Sequence, residues 1–257
     1  MRFIGVDLAW SSANPTAAVA LEWDGHTAKP VGWPSALGDD AEVVRFVAEA
    51  AGRGPALVAV DAPLVVPNEL GARPCDRELS QTYRRAKAQA YPANRRRLHP
   101  VRGEALVATL EALGFVHDPN VVAREPVRQV VEVFPHPAAV ELFGLTEILR
   151  YKARSDRPLP LRWGELRRYQ NLLRSLREAE PRLEAEAILK EDPTGLRGKA
   201  LKAREDLLDA LFCAYIALHL WYWGEAGYRR FGDLATGYIL VPMRPGLTDR
   251  GTPAGLG

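Results

Sequence analysis

Short apolar runs and one segment with apolar residues at helical spacing dominate the N-terminal part of the chain. Apolar runs at 3–7, 16–23 and 27–33 predict three strands, the last two joined by a tight turn. Positions 39–53 carry apolar residues at helical spacing, and a β-branched run at 57–61 predicts a fourth strand. Because a helical crossover leads into this fourth strand, we expect it to lie parallel to the first in an α/β fold.

The remainder of the chain alternates between helical patterns and polar, basic stretches. Apolar runs predict a strand at 129–134 and a last strand at 235–241. Helical spacing predicts helices at 103–113, 163–177, 181–189 and 199–223.

No repeat and no domain boundary interrupts this pattern. We expect a single domain over residues 1–242, with insertions at about 63–102 and 150–180. A Gly- and Pro-rich tail at 243–257 is predicted to be flexible.

The composition is that of an ordinary globular protein. The chain has 257 residues, 47% of them hydrophobic, and its two cysteines, Cys75 and Cys213, lack metal-ligand spacing. These numbers exclude a disulfide-rich scaffold and a zinc finger. The sequence reaches an acid at Asp7, and its longest apolar stretch, 210–223, is too short to span a membrane. We therefore expect a soluble, cytoplasmic protein without a membrane partner.

The net charge of +2 is the difference between unlike regions. Segments 73–102 and 150–177 each carry nine Lys or Arg against two acids, a net +7, so the remainder carries −12. Two basic segments on an acidic body suggest an anionic partner such as nucleic acid. The alternative is the Arg-rich solvated surface of a thermophile protein, because Arg outnumbers Lys 28 to 6.

Acidic residues interrupt or end several apolar elements. Asp7 ends the first strand and Asp61 the fourth, so parallel neighbours would place both carboxylates at one sheet edge, about 5 Å apart. Glu132 interrupts the strand VVEVF. Asp206 and Asp209 are three residues apart on the long helix and share one of its faces. We expect these five acids to form one site.

Clustered carboxylates repel one another, and a hard divalent cation such as Mg²⁺ relieves that repulsion. Two such ions about 3.5–4 Å apart can activate water and stabilise the leaving oxygen in phosphodiester cleavage. The pattern therefore favours a metal-dependent hydrolase.

Each acid also has a structural explanation. Asp7 or Asp61 could cap the turn that follows its strand, and Glu132 could pair with an arginine of an insertion. The two helical acids could pair with Lys202 and Arg204 of the same helix.

Five segments carry a family resemblance: GVDLAW, AVDAPL, RPCDREL, EVFPHPA and REDLLDALFCAYIA. In this order they make the chain similar to the bacterial and archaeal domain-of-unknown-function 429 family, whose members are described as predicted RNase H-like nucleases. The resemblance runs from residue 1 to about 242. It implies a ribonuclease H-like core, with a five-stranded mixed sheet in the order 3-2-1-4-5, flanking helices and the two basic insertions.

The resemblance also implies a catalytic site. In that superfamily the first strand, the fourth strand and the final helix supply acids, which matches Asp7, Asp61, Asp206 and Asp209, and its nucleases use Mg²⁺ or Mn²⁺. We expect these four residues to be catalytic and, together with Glu132, to ligate the metal. The turns DLAWSS and DAPLVV lack the phosphate-binding glycines of the related actin-like ATPases, which disfavours that activity.

Side chains outside the acidic set are candidates for contacts with substrate. Arg73 could contact the scissile phosphate through two donors, although Asp76 of the same motif could simply cap a helix. His136, between two prolines, could donate or shuttle a proton near the metals, or it could be an ordinary turn histidine.

The densest basic run is a second candidate for substrate binding. It consists of Arg95, Arg96 and Arg97, and nearby tyrosines, Tyr83 and Tyr91, could stack on bases. A solvated loop has the same composition.

The sequence thus favours a metal-dependent nuclease acting on DNA or RNA. Two alternatives stay open: a non-catalytic nucleic-acid or protein binding module on the same fold, and a hydrolase of a small phosphorylated metabolite. The aromatic run at 221–223 is typical of core packing or of a homodimer contact.

Overall fold

A mixed sheet lies at the centre of the protein. The computed structural model describes residues 1–11, 14–34 and 36–246. Within these residues, the main sheet contains β1 (Arg2–Asp7), β2 (Ala17–Trp23), β3 (Thr27–Gly32), β4 (Ala56–Val60), β5 (Val116–His117), β6 (Arg128–Glu132) and β7 (Arg182–Leu183). The strand order is β5-β6-β4-β1-β2-β3-β7.

The five inner strands run β3-β2-β1-β4-β6, within a seven-stranded sheet rather than the five-stranded one that the family resemblance implies. β1 is antiparallel to β2 and parallel to β4, and β4 is parallel to β6. The sheet differs from the prediction at its edges, where the two-residue strands β5 and β7 extend it to seven. Strands this short have no alternation to detect, because a period of two needs more than two positions.

Helices cover both faces of the sheet. In the described part of the chain they are α1 (Asp40–Ala51), α2 (Pro74–Thr82), α3 (Arg102–Ala112), α4 (Pro135–Phe143), α5 (Leu159–Ser175), α6 (Glu186–Leu189) and α7 (Gly198–Trp223). Alternate strand residues point to opposite faces. Phe3 and Leu57 belong to the apolar cluster that contains α7, whereas Ile4 and Val58 pack with α1 and α3.

α7 is the core helix. The segment Gly198–Gly227 is long and apolar enough to cross a membrane, but 89% of its most apolar window is buried inside the protein, as is typical of a soluble protein's central helix. Gly5 of β1 lets this helix approach the sheet. A Cβ at Gly5 would lie 2.1 Å from the Ala210 carbonyl oxygen and 2.1 Å from the Ala214 nitrogen.

A hairpin outside the main sheet packs against the first insertion. It consists of β8 (Tyr228–Asp233) and β9 (Gly237–Pro242), and its Phe231 shares an apolar cluster with Leu79 of α2. The sequence predicts β9 but not β8. The reason is that Phe231 is the one fully buried residue of β8, so the strand shows no apolar pattern.

Two predicted elements are different in the structure. The helix predicted at 181–189 is instead β7, which pairs with Thr27 and Ala28 of β3, followed by the short α6. Pro135 and Pro137, which the sequence places at the end of a strand, lie in the first turn of α4, where a missing N–H costs no hydrogen bond.

The first residues of the predicted tail at 243–257 are hydrogen-bonded to the rest of the protein. The Met243 amide donates to the Gly227 carbonyl at 2.7 Å, and the Arg244 guanidinium donates to the Leu142 carbonyl. Residues 247–257 lie outside the described residues. The single-domain organisation stays a prediction.

Candidate metal centre

Asp7 and Asp61 lie side by side at the carboxyl edge of the sheet. In the parallel pairing of β1 with β4, Val6 is opposite Val60, and the two aspartates come next. The Asp61 amide donates to the Val6 carbonyl at 2.9 Å, which continues the pairing by one residue. The structure therefore brings these two sequence-predicted residues together.

α7 brings two further acids to the same edge. Asp206 and Asp209 are buried, and they lie one turn apart on the part of the helix that contacts β1. The contact is close because Gly5 leaves room for the helix backbone. The approach of α7 to β1 therefore places its carboxylates near Asp7.

Three carboxylates meet there, and we call them the acid cluster: Asp7, Asp206 and Asp209. Each offers one oxygen, and these oxygens lie within 4.8 Å of one another. Asp7 Oδ2 is buried and has no hydrogen-bond donor among the described residues. An undonated oxygen within a group of three carboxylates fits a hard divalent cation, which takes oxygen ligands.

Lys152 reaches the acid cluster from the second basic segment. Its ammonium forms an ion pair with Asp209 and lies 3.4 Å from Asp206 Oδ1 and 3.9 Å from Asp7 Oδ2. The neighbouring Tyr151 donates its hydroxyl to Asp209 Oδ1 at 2.6 Å. A positive charge is thus held by the same three carboxylates that would hold a metal ion.

Of the two residues of α7 that the sequence offers as partners for Asp206 and Asp209, only one forms an ion pair with them. Lys202 pairs with Asp206 one turn away, which is one of the alternatives considered above. Arg204 instead donates to the Ile188 carbonyl at 2.6 Å. Asp209 therefore depends on Lys152 and Tyr151 rather than on its own helix.

Burial raises the pKa values of Asp7 and Asp61, the two aspartates that follow one another across the sheet at this edge. It raises the pKa of Asp7 well above the usual value, although the charge of Lys152 opposes the shift. Burial, followed by the charge of Asp209, raises the pKa of Asp61 to about 8. Burial alone would lower the pKa of Lys152, but the facing carboxylates raise it. The site therefore favours a bound positive charge.

Glu132 points away from the acid cluster. It is opposite Val60 in the pairing of β4 with β6, whereas Asp61 is the residue after Val60. Paired positions share a face of the sheet and successive positions alternate, so Glu132 and Asp7 belong to opposite faces, and the Glu132 carboxylate accepts hydrogen bonds from the Leu64 amide and from Arg73. This corrects the expectation that Glu132 ligates the same metal.

Arg73 holds Glu132 on that opposite face. Its guanidinium donates to Glu132 at 2.6 and 2.9 Å, to Asp76 at 2.8 and 3.1 Å, and to the Val65 carbonyl at 3.0 Å. All its N–H donors are thus used within the protein, and the side chain is 1% exposed. This corrects the expectation that Arg73 contacts a phosphate. The structural alternative, in which Glu132 pairs with an arginine of the insertion, describes the contact.

The basic run of the first insertion stays at the surface. Arg95 pairs with Glu104 at 3.0 Å, and Arg96 and Arg97 are exposed. Within the described residues, the side chains of Arg96 and Arg97 have no ion-pair partner and do not contact the acid cluster. They stay candidates for contact with an anion.

His136 lies close to the acid cluster, near the start of α4. Its ring centroid is 6.1 Å from that of Tyr151, at a tilted angle. Burial lowers the pKa of His136 to about 4, although the charge of Asp209 opposes the shift. The imidazole is therefore neutral at neutral pH, so it can accept a hydrogen bond there, but it is a weak base and not a cationic acid.

Tyr151 and Lys152 are the site residues that sequence reasoning missed. They lie between α4 and α5, in a stretch without helical or strand periodicity. The one signal that the sequence carries for them is the positive charge of the basic segment 150–177, which an acidic site can attract. Nothing in the spacing of the sequence identifies which aspartates they contact.

Comparison with known proteins gives one result. The sequence pattern of the family described as "Protein of unknown function (DUF429)" matches residues 5–234, which include Asp7, Asp61, Lys152, Asp206 and Asp209. Neither the search of curated proteins nor the search of solved structures found a match.

Proposed function

We propose that this chain, which belongs to the DUF429 family, is a metal-dependent phosphodiesterase that hydrolyses DNA or RNA. Because the function of the family is unknown, the proposal rests on the chemistry of the site itself. We further infer a ribonuclease H-like fold, supported by the order of the five inner strands, and a cytoplasmic location, supported by the burial of α7.

The acid cluster is the observation that carries the proposal. Asp7, Asp206 and Asp209 offer oxygens within 4.8 Å of one another, and one of these residues has a buried oxygen without a donor. In a purely structural site each buried carboxylate oxygen would be expected to accept a hydrogen bond, whereas Asp7 Oδ2 accepts none from the described residues and its nearest cation, the Lys152 ammonium, lies 3.9 Å away.

Mg²⁺ or Mn²⁺ bound there would supply Lewis-acid activation of water and charge stabilisation at the phosphate. Asp7, Asp206 and Asp209 would hold the ion, with Asp61 beside Asp7 just after the end of β4. Tyr151 orients Asp209 through its hydrogen bond. Gly5 keeps α7 close enough to β1 for the three carboxylates to meet.

The substrate class follows from the charges around the site. Lys152, which touches the acid cluster, belongs to the basic segment 150–177, and Arg154 of that segment lies 3.4 Å from the Tyr91 hydroxyl of the first basic segment. The two basic segments therefore meet beside the site. A polyanionic strand would lie along them, because phosphate contacts with Arg and Lys dominate nucleic-acid affinity.

One observation favours a second candidate, a non-catalytic binding module. Lys152 already neutralises part of the acid cluster, so the three carboxylates could be a structural centre that needs no metal. This candidate predicts nucleic-acid affinity without any dependence on divalent ions.

The test is cleavage of single-stranded, duplex and branched DNA and RNA in the presence of Mn²⁺. We expect Asp7→Asn to lose at least about a hundredfold in rate, because it removes a ligand of the ion. The matched control is Asp192→Asn, which changes an exposed aspartate outside the site. Equal rates for the wild type and Asp7→Asn on every substrate would make the proposal wrong. Cleavage of a small phosphate ester alone would favour the metabolite hydrolase.

A further inference from the structure

A cleft opens beside Asp61, next to the acid cluster. It contains about 390 Å³ of empty space, part of it open to solvent at the mouth. Three of its lining residues are aromatic, namely Trp10, Tyr91 and Phe134, and of the other nine, five are aliphatic and four are charged. A group that enters this cleft therefore meets apolar walls within reach of the site.

The charged residues at the floor of the cleft do not favour binding of a phosphate. All the guanidinium N–H groups of Arg73 donate hydrogen bonds to Asp76, Glu132 and the Val65 carbonyl. The amides of Leu64 and Ala93 donate to the same two carboxylates at 2.8 and 3.0 Å. Arg73 is thus fully paired, and Asp61 adds a third carboxylate to the lining, so the cleft has no free cation among the described residues. A phosphate there would have no counter-charge, so the cleft suits an uncharged group.

Two aromatic side chains are exposed at the cleft. Trp10 is 41% and Tyr91 60% exposed, and their ring centroids are 6.4 Å apart at 85°. A flat ring that stacks on one of them would meet the edge of the other, an arrangement that aromatic groups favour. Stacking on such side chains is how proteins bind unpaired bases.

Positive charge lies next to this aromatic pair. Arg154 is exposed, and its Nη2 lies 3.4 Å from the Tyr91 hydroxyl. Arg157 follows in the same loop, and its Nε is buried and has no acceptor among the described residues. An apolar cleft with cations beside its aromatic wall matches a base attached to a phosphate backbone.

We propose that the cleft binds one unpaired nucleobase of the substrate, stacked on one ring of the Trp10–Tyr91 pair and in contact with the edge of the other, while Arg154 faces a phosphate of the same strand. This inference rests on the proposed function and narrows its substrate to single-stranded or locally unpaired nucleic acid, because a paired base cannot enter the cleft.

Binding without hydrolysis tests this directly. The affinity of a fluorescent single-stranded oligonucleotide is measured in EDTA and compared with that of an abasic strand of equal length, which has the same phosphates. We expect Trp10→Ala and Tyr91→Ala to weaken binding of the base-bearing strand by about fivefold or more, because stacking contributes about 1–3 kcal/mol per base. Both variants should bind the abasic strand as the wild type does.

Two further variants keep the result interpretable. Trp33 is also 41% exposed but does not line the cleft, so Trp33→Ala should leave both affinities unchanged. Trp10→Phe should retain most of the affinity, because it keeps a stacking face. Equal weakening of both strands by Trp10→Ala, or no weakening of either, would overturn the inference.

The outcome separates this inference from the nuclease proposal. Base-dependent binding without cleavage in Mn²⁺ would support the cleft and contradict the nuclease. Cleavage that Trp10→Ala leaves unchanged, with unchanged affinities, would support the nuclease and contradict the cleft.

Discussion

Lys152 and Asp209 form an ion pair within the acid cluster, and the same ammonium faces Asp206 and Asp7. A lysine and a divalent ion would both be held there by the same oxygens. The chain therefore carries its own counter-charge for a site that is otherwise repulsive, and this charge must compete with any metal.

Replacement of Lys152 by methionine tests the competition. We expect Lys152→Met to destabilise the metal-free protein by about 3–5 kcal/mol, because removing one partner leaves buried carboxylates unpaired. Mn²⁺ should bind the variant about tenfold more tightly than the wild type, because the competing charge is gone. Calorimetric titration measures the affinity, and chemical denaturation measures the free energy of unfolding.

Lys199→Met is the matched control, because Lys199 is exposed at the start of α7. It should change neither quantity appreciably. An unchanged Mn²⁺ affinity in Lys152→Met would show that the lysine and the ion do not compete.

The pH dependence of stability tests the environment of Asp61. Its pKa is raised from 3.8 to about 8, first by burial and then by Asp209. Between these values the folded protein binds more protons than the unfolded chain, so the free energy of unfolding falls as the pH rises towards 8 and levels off above it.

Asp61→Asn should flatten that decline in the metal-free protein and raise its melting temperature near pH 8. Thermal unfolding across this pH range measures both effects. Asp192→Asn, at an exposed position, should not flatten the decline. A melting temperature that drops in Asp61→Asn at every pH would assign this carboxylate a structural hydrogen-bonding role.

Much of the arrangement could be predicted from local sequence. Apolar runs that end in aspartate locate Asp7 and Asp61, and helical spacing puts Asp206 and Asp209 on one face. The strand pattern also predicts the side of the sheet on which Glu132 lies. Val131 and Val133 flank it, and because successive strand residues point to opposite faces, Glu132 lies on the face opposite to theirs. Lys152 could not be located, because its contact with Asp209 depends on how an aperiodic loop folds over α7.

A substitution at Gly5 tests the close contact of α7 with β1. A Cβ there would meet backbone atoms of Ala210 and Ala214 at 2.1 Å, and backbone cannot rotate aside as a side chain can. We expect Gly5→Ala to cost at least the ~1–3 kcal/mol of ordinary overpacking and to weaken Mn²⁺ binding, because α7 moves away from Asp7.

Gly164→Ala provides the comparison for Gly5→Ala. A Cβ at Gly164 of α5 meets no atom within 4 Å, so alanine there should leave stability unchanged or raise it by up to about 1 kcal/mol. Denaturant titrations of both variants suffice. Stability equal to wild type in Gly5→Ala would contradict the close contact.

The ion pairs of Arg73 predict a strong effect on stability without a direct effect on the acid cluster. Arg73→Met should destabilise the protein by about 3–5 kcal/mol, because Glu132 and Asp76 lose their buried partner. Arg96→Met, at an exposed arginine, should stay within about 0.5 kcal/mol of wild type. If Arg73→Met kept full stability but lost affinity for nucleic acid, the phosphate role rejected above would be restored.

A crystal structure of the protein soaked with Mn²⁺ is the most direct test of the metal centre. The anomalous signal of manganese locates the ion independently of any activity. We expect a peak in contact with Asp7, Asp206 and Asp209, with the ammonium of Lys152 displaced from Asp209. No peak among these carboxylates at saturating Mn²⁺, with Lys152 still paired to Asp209, would contradict the account.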